Sequence, residues 1–145
     1  MKIKLDAGAK MPTRAYEFDG GLDLYSPVNR YIFGRQQEFV FGSGETAEMI
    51  DTGVHVQIPH GYVGLIRTRS SMLEQEVITG GTIDSDYTGS IKVKLINLGA
   101  RSYHVKAGDK IAQLVIVPCL IPTLELTDTL EKTERGDNGF GSSGR

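Results

Sequence analysis

Ile91-Lys-Val-Lys-Leu95 alternates apolar and polar side chains with a period of two. Successive side chains of an extended chain point to opposite faces, so this stretch predicts a strand with one buried and one solvated face. Val54-His-Val-Gln-Ile58 repeats the alternation, and Ile3 with Leu5 is a shorter instance. The dominant period of the chain is therefore that of a half-buried β-strand.

Residues 63–66 and 111–117 are more continuously apolar, which favours strands buried on both faces. Turn-forming residues separate the apolar runs, as at 19–21, 59–61 and 107–109. Many short strands with frequent turns predict an all-β sandwich or barrel. The one helical signal is Ser71 with Glu74, which fits an S-x-x-E capping box and predicts a single short helical turn.

Composition limits the possible functions. A chain of 145 residues has the length of one domain, and its net charge of −2 argues against a surface that coats nucleic acid. The single cysteine, Cys119, cannot form an internal disulfide and lies in an apolar run, so we expect a buried thiol and a reducing compartment. Neither a signal-peptide core nor a membrane-length apolar stretch is present in the sequence, so we expect a soluble, cytoplasmic protein.

The C-terminal segment is rich in glycine and serine. Residues 135–145 contain four glycines, two serines, two arginines and the aromatic Phe140. Such a segment buries too little apolar surface to offset its ordering entropy, which predicts a disordered terminus. The same residues could also close on a ligand that carries anionic oxygens and an aromatic ring. We therefore expect a β domain over 1–126 and a flexible arm over 127–145.

Two polar clusters lie in the first half of the chain. Asp23 stands between Leu22 and Leu24, so it faces away from them, as a surface residue or as part of a site. Arg69-Ser-Ser71 places an arginine and two hydroxyls at the predicted helix start, which fits either a helix cap or an anion site.

A third cluster, Gly80-Gly-Thr-Ile-Asp-Ser-Asp-Tyr-Thr-Gly89, is the richest in chemistry. If the segment is extended, Asp84 and Asp86 point the same way, and such a pair can hold Mg²⁺ through water or orient an attacking water. Asp and Gly also form turns for local reasons, so a turn is the alternative to an extended segment, and it would not exclude a functional role.

Together these clusters resemble the five ordered motifs of the trimeric dUTP pyrophosphatases (dUTPases), including their phage and prophage types. The five segments that match are Gly21-Leu-Asp-Leu-Tyr-Ser26, Arg69-Ser-Ser-Met72, Gly81-Thr-Ile-Asp-Ser-Asp-Tyr-Thr-Gly89, Ala107-Gly-Asp-Lys-Ile-Ala-Gln113 and Arg135-Gly-Asp-Asn-Gly-Phe-Gly-Ser-Ser-Gly144. The resemblance implies a jelly-roll-like β fold and a homotrimer whose active sites are shared between subunits. It implies Mg²⁺-dependent hydrolysis of dUTP to dUMP and pyrophosphate by attack of water on the α-phosphorus. That reaction keeps uracil out of DNA and supplies dUMP for dTMP synthesis.

The resemblance also implies roles for single residues. Asp84 would be the general base, and Tyr87 would pack beneath the deoxyribose and exclude a 2′-hydroxyl. The backbone around Gly81 and Ile83 would read the uracil edge. The phosphates would contact Arg69, Ser70, Ser71 and Gln113, while Asp23 would support Mg²⁺ through water. In the tail, Phe140 would stack on uracil, and Arg135, Gly141, Ser142 and Ser143 would close on the phosphates.

Departures from the family pattern leave other functions open. The chain is short between Arg69 and Asp84, and it is long and glycine-rich over 34–48, where a regulatory protein partner could bind. The rival enzyme is a dCTP deaminase of the same superfamily, which would need a glutamate in place of Asp84. A rival of another class is a dUTPase-like regulator for which hydrolysis is secondary. We expect dUTP as the small-molecule partner, and neither nucleic acid nor membrane.

Overall fold

The computed structural model describes residues 1–35 and 46–137. Ten strands and one four-residue helix lie within these ranges. In chain order they are β1 (Lys2–Leu5), β2 (Gly21–Tyr25), β3 (Arg30–Ile32), β4 (Ala47–Gln57), β5 (Tyr62–Arg67), α1 (Ser70–Leu73), β6 (Val77–Ile78), β7 (Gly80–Ile83), β8 (Ser90–Asn97), β9 (Tyr103–Val105) and β10 (Lys110–Pro118).

The strands form two four-stranded sheets and one two-stranded ribbon. The first sheet has the order β1-β4-β8-β6, the second has the order β2-β10-β5-β7, and β3 pairs with β9. Every pairing is antiparallel. The sheets are open at their edges, so the predicted all-β, jelly-roll-like fold is confirmed in the form of a sandwich.

Alternating burial along β8 and β4 builds the core. Ile91, Val93 and Leu95 are fully buried, while the lysines between them are exposed. Val54 and Val56 of β4 are buried in the same way. Each such side chain contributes about 1.5–3 kcal/mol on leaving water. The two strands predicted from their period of two are therefore confirmed.

The prediction that 63–66 and 111–117 are buried on both faces is wrong. In β5, Gly64 and Ile66 are buried, whereas Val63 and Leu65 are only half-buried. Leu65 pairs with Val115 and Val63 with Val117 on the same outward face of the second sheet. Only the inward face of this sheet packs on the core of the same chain. We call Val63, Leu65, Val115 and Val117 the outer apolar patch.

The predicted helical turn is confirmed, but its predicted cap is wrong. The helix begins at Ser70, and its N-cap residue is Arg69, which makes no side-chain capping hydrogen bond. Ser71 therefore lies inside the first turn, where its Oγ accepts a hydrogen bond from Arg69 Nη1 at 3.3 Å. The hydroxyl is used to position an arginine rather than to cap a helix.

The chain leaves the second sheet at Pro118. Cys119 is exposed, so its predicted burial is wrong; its backbone N–H donates to the Gly61 carbonyl at 2.8 Å just past the strand end. Residues 119–137 contain no helix or strand. Five large apolar side chains of this segment are exposed: Leu120, Ile121, Leu124, Leu126 and Leu130. The domain boundary expected after residue 126 stays a prediction. In the two described ranges, no helix is long and apolar enough to cross a bilayer.

Candidate active site

One row of paired residues crosses the second sheet and joins polar residues of two of the motifs, Asp23 and Gln113. Asp23 of β2 pairs with Gln113 of β10, which pairs with Arg67 of β5, which pairs with Gly80 of β7. Directly paired residues of antiparallel strands project from the same face. Sheet register therefore brings together side chains that are up to 90 residues apart in sequence.

Asp23 is the centre of this polar row. Its side chain is 1% exposed, which makes it one of the few buried charged groups in the described residues. Arg69 Nε donates to Asp23 Oδ1 at 3.0 Å, and Gln113 Nε2 donates to the same oxygen at 3.3 Å. Lys110 Nζ lies 2.7 Å from Oδ2. Oδ1 therefore accepts two hydrogen bonds and Oδ2 faces an ammonium group, and a buried charge requires such partners. We call Asp23, Arg69, Lys110 and Gln113 the Asp23 cluster.

Electrostatics in the Asp23 cluster favour the ionised carboxylate. Burial raises the pKa of Asp23, but the hydrogen bond from Lys110, the charge of Arg69 and the hydrogen bond from Gln113 outweigh it, so the net pKa lies below the ordinary value of 3.8. The same hydrogen bond to Asp23 raises the pKa of Lys110. At neutral pH the cluster holds two cations and one anion.

The cationic side of the cluster remains open to solvent. The Arg69 side chain is 24% exposed and that of Lys110 is 34% exposed. Arg69 Nη1 also contacts Ser71 Oγ and the Lys110 carbonyl oxygen, so the guanidinium is held in one orientation. Ser70 and Ser71 are exposed beside it. A fixed guanidinium with an excess positive charge is suited to bind an anion such as a phosphate.

Sequence reasoning did not single out Lys110 as a site residue. It begins β10, and an alternating pattern alone assigns it no particular role. Only the pairing of Lys110 with Tyr25, two residues beyond Asp23 on β2, reveals that its ammonium group reaches that carboxylate.

Asp84 lies at the end of the β7 strand, in a turn. The Tyr87 N–H donates to the Asp84 carbonyl at 3.1 Å. The extended arrangement considered for Asp84 and Asp86 is therefore not the one observed, and the turn alternative is correct. Both carboxylates are exposed. We call residues 84–89 the Tyr87 turn.

Tyr87 lies flat against the turn that bears it. Its hydroxyl donates to the Ser90 carbonyl at 2.9 Å, and its side chain remains 42% exposed. A Cβ atom on Gly89 would lie 2.6 Å from the Tyr87 ring atom Cζ and from its hydroxyl oxygen. Glycine at position 89 is therefore what allows the ring to approach the backbone so closely. The result is a rigid aromatic surface beside Asp84.

Asp84 borders two cavities. The smaller has a volume of about 180 Å³ and is lined by Thr82, Ile83, Asp84, Tyr87 and Lys92. The larger, of about 460 Å³, is lined by His60, Tyr62, Val63, Asp84, Ser85, Asp86, Cys119 and Ile121. The first combines a carboxylate, an aromatic surface and a strand backbone. Gly81 pairs with Ile66 and is exposed, while Ile83 is buried at the cavity floor.

The two halves of the predicted site lie apart within one chain. Ile83 of β7 pairs with Gly64 of the antiparallel strand β5. From this pair, Asp84 lies one residue further in one direction, and Arg69 lies five residues beyond Gly64 in the other direction. At about 3.3 Å per residue, Asp84 and Arg69 are about 20 Å apart along the strands. The fold joins Asp23, Arg69 and Gln113, and it does not bring Asp84 and Tyr87 to them.

The tail residues are only partly described. Arg135 is exposed in the segment that follows the last strand. Phe140, Gly141, Ser142 and Ser143 lie outside the described residues, as does most of the 34–48 segment. In the parts of the chain that the structure describes, no group of three or more His, Cys, Asp or Glu side chains could hold a metal ion.

Comparison with known proteins identifies the family of the chain. The dUTPase family model matches residues 7–144. A deoxyuridine 5'-triphosphate nucleotidohydrolase of Mycolicibacterium gilvum is 42% identical over 152 residues, covering 98% of this chain and 92% of that protein. Its counterpart in Ehrlichia canis is 40% identical over 149 residues, with the same coverage.

Solved structures give the same result. The dUTPase of Staphylococcus bacteriophage 80alpha with dUPNHPP superposes with a TM-score of 0.85 at 30% identity, covering 99% of this chain and 98% of that one. The dUTPase of S. aureus phage phi11, in a form that shows a structural Mg(II) ion, has a TM-score of 0.76 at 26% identity, covering 90% of this chain and 98% of that one. The chain belongs to the dUTPase family.

Proposed function

We propose that the chain hydrolyses dUTP to dUMP and pyrophosphate, with water attacking the α-phosphorus. The predicted enzyme class, a dUTP diphosphatase, is confirmed by its curated relatives. The mechanism is our proposal, and one observation carries it. Asp84 and Tyr87 stand exposed on a rigid turn beside a 180 Å³ cavity, while the Asp23 cluster presents a fixed, partly exposed guanidinium.

The phosphate-binding half would be the Asp23 cluster with its adjacent serines. Arg69 would bind phosphate oxygens through the guanidinium hydrogens that face solvent, while Nε remains on Asp23. Ser70, Ser71 and Gln113 would add neutral donors. Asp23 would keep the arginine in place, so that little orientational freedom is lost when the triphosphate binds.

The Tyr87 turn would form the half of the active site that holds the general base and the attacking water. Asp84, exposed and acceptor-only when ionised, would orient the attacking water and accept its proton as the general base. Tyr87 would pack under the deoxyribose, and a 2′-hydroxyl would have no space against a ring already pressed on Gly89. The backbone at Gly81 and Ile83 would read the uracil. Phe140, with Arg135, Gly141, Ser142 and Ser143, would close over the bound nucleotide and exclude water.

The separation within one chain supports active sites shared between copies, and a homotrimer is the assembly that we propose for them. Asp84 and Arg69, about 20 Å apart by strand register, would act together at the α-phosphate if they came from different copies. The half-buried outer apolar patch and the exposed apolar side chains of residues 119–130 are surfaces that such copies would bury.

Complementation between inactive variants tests the shared site. Arg69→Ala and Asp84→Asn homotrimers should each be inactive. After the two are dissociated and reassembled together, some sites would receive an intact Arg69 from one copy and an intact Asp84 from another. Recovery of activity is the expected result, and a mixture as inactive as its parents would contradict sharing.

Magnesium is part of the proposal. Both oxygens of Asp23 already have cationic or amide partners, so this carboxylate would support the ion only through water. Mg²⁺ typically keeps several waters and binds substrate phosphates with few protein ligands, which fits a chain without a protein cage in its described residues. When bound, the ion would neutralise charge on the triphosphate. Chelation with EDTA should abolish turnover, and excess Mg²⁺ should restore it.

Substrate selectivity tests the proposed reaction. Purified protein with Mg²⁺ should release pyrophosphate from dUTP far faster than from dTTP, dCTP or UTP. Comparable turnover of dTTP would contradict the uracil assignment, and formation of dUTP from dCTP would favour the deaminase. We place the reaction in the cytoplasm.

A regulatory role is a second candidate. The bacteriophage 80alpha dUTPase controls the transfer of virulence genes, and the phi11 dUTPase carries a species-specific insert. By analogy, residues 34–48 would bind a protein partner. Replacing residues 36–45 by a Gly-Ser linker should leave dUTP turnover unchanged; loss of turnover would instead assign the segment to the catalytic assembly.

A further inference from the structure

His55 holds the Tyr87 turn to the first sheet. Its Nδ1 lies 2.9 Å from the Thr88 carbonyl oxygen, and its Nε2 lies 3.0 Å from Asp6 Oδ2. Thr88 follows Tyr87 directly, and Asp6 follows β1. One imidazole therefore joins the N-terminal strand to the turn that carries Asp84 and Tyr87.

Both partners of the ring are acceptors. A carbonyl oxygen and an ionised carboxylate can only accept hydrogen bonds, so both contacts need an N–H on the ring. A neutral imidazole carries one N–H and an imidazolium carries two. The observed arrangement is therefore complete only when His55 is charged, and loss of its proton removes one of the two hydrogen bonds.

Hydrogen bonds through Ser90 also connect the Tyr87 turn to β4. Asp51 accepts a hydrogen bond from Ser90 Oγ, and the Tyr87 hydroxyl donates to the Ser90 carbonyl. The register of β4 against β8 shifts between Asp51 and His55. This irregularity, at Gly53 with a φ of 64°, brings both side chains onto the turn.

We propose that His55 is a positioning residue: as an imidazolium between Asp6 and the Thr88 carbonyl, it fixes the Tyr87 turn in the conformation that receives the deoxyribose of the substrate. The inference rests on the proposed function, since it is dUTP that the turn would meet. Neutralisation of His55 loosens the turn and weakens substrate binding, while the chemistry at Asp84 in the bound complex is unchanged.

The charges around His55 favour the imidazolium on balance. The Thr88 and Asp6 hydrogen bonds and the Asp6 charge raise the pKa of His55 above its ordinary value of 6.5, against partial burial and the charge of Lys4. Asp51 adds a further negative charge on β4. Lys2 and Lys4 of β1 line the same 570 Å³ groove as His55, and the His55 side chain is 19% exposed. Because the folded-state pKa is raised, the clamp is intact below 6.5 and is lost as pH rises through the raised value.

Steady-state kinetics over a range of pH tests the proposal. We would measure kcat and KM for dUTP with Mg²⁺ in the wild-type protein and in His55→Gln, whose amide hydrogens share one nitrogen and so cannot replace donors at both the Nδ1 and the Nε2 positions. The ratio of variant to wild-type KM cancels the titration of the substrate itself. It should be about two- to tenfold at low pH, as expected for one hydrogen bond, and fall towards one at high pH, while the kcat ratio stays constant. A KM ratio that does not change with pH would overturn the proposal.

Two further measurements keep the test decisive if His55→Gln does not fold. Asp6→Asn removes the negative charge and should move the midpoint of the KM profile, and of the His55 imidazole titration followed by NMR, to lower pH. An unshifted midpoint in the folded variant would overturn the clamp. His104→Gln, a histidine on β9 outside the site, serves as the matched control and should follow the wild-type profile. Absence of dUTP turnover in the wild type would refute the proposed function instead, and the imidazole titration would still report on the clamp.

Discussion

Replacing Asp23 with asparagine isolates the electrostatic contribution of the Asp23 cluster. The substitution keeps the shape of the side chain but removes the charge that Arg69 and Lys110 share. Asparagine retains one carbonyl oxygen, so Arg69 Nε can still donate a hydrogen bond to it. The new amide NH₂ group faces the Lys110 ammonium group, which has no acceptor for its hydrogens. The variant therefore tests charge complementarity with little change in packing volume.

The size of the effect follows from burial. Removing one partner of a fully buried ion pair costs about 3–5 kcal/mol, because an uncompensated charge remains. Here the carboxylate is 1% exposed, but Arg69 is 24% exposed and partly solvated after the change. We therefore expect the free energy of unfolding to fall by about 2–3 kcal/mol at pH 7.

The pH dependence gives the sharper check. The pKa of Asp23 is lowered below 3.8, so its stabilisation is present above that value and is lost as pH falls through the folded-state pKa. The two proteins should therefore converge in acid. Urea unfolding at fixed protein concentration, from pH 7 down to pH 3, measures the difference, with Asp128→Asn in the exposed segment after β10 as the matched control. A difference below about 0.5 kcal/mol at pH 7, within the range of ordinary surface substitutions, would refute the stabilising role of the charge.

Four further predictions test the site. Asp84→Asn should abolish dUTP turnover while leaving nucleotide binding and the melting temperature nearly unchanged; retention of most activity would mean that Asp84 is not the base. Gly89→Ala places a Cβ 2.6 Å from Tyr87 ring atoms, so we expect about 1–3 kcal/mol of lost stability and weaker discrimination against UTP, measured by melting and by the dUTP-to-UTP rate ratio. Arg69→Lys keeps the charge but replaces the separate nitrogens that bind Asp23 and Ser71 by one ammonium nitrogen, which cannot reach both of them and phosphate, so KM should rise at least tenfold; an unchanged KM would exclude this guanidinium from the phosphate site. Truncation before Arg135 should leave a folded assembly with little activity, and unfolding in circular dichroism would show that the tail is structural.

The strands were predictable because their signal is local. Ile91, Val93 and Leu95 alternate with lysines over five residues, and nothing distant in sequence is needed to interpret that pattern. Val63 and Leu65 were misjudged for the opposite reason. An apolar run predicts burial on both faces, whereas the described residues 1–35 and 46–137 leave the second face of this sheet only half-buried.

The parts of the site that were missed depend on long-range register. Lys110 reaches Asp23 only because β2 and β10 pair with an irregularity between Lys110 and Ala112. His55 reaches Thr88 through a shift in register that begins at Asp51. Neither irregularity has a periodic signature in sequence. At Asp84, by contrast, the turn alternative was visible in the sequence, and the Asp84–Tyr87 hydrogen bond decides for it.

The Asp23 cluster and Asp84 lie at distant positions on one sheet. This separation gives a physical reason for the proposed assembly of several copies around each substrate. The Asp23 cluster lies where β2, β10 and β5 share the polar row, and Asp84 lies at the far end of the neighbouring strand β7. A rigid sheet cannot bend by about 20 Å to close that distance, because its backbone hydrogen bonds and packed core resist deformation. Two copies could close it without any internal motion, by placing the β7 end of one chain against the Arg69 end of another. In a closed ring every chain would then contribute its Asp23 cluster to one site and its Tyr87 turn to the next, so that catalytic geometry and subunit assembly would be set by the same contacts.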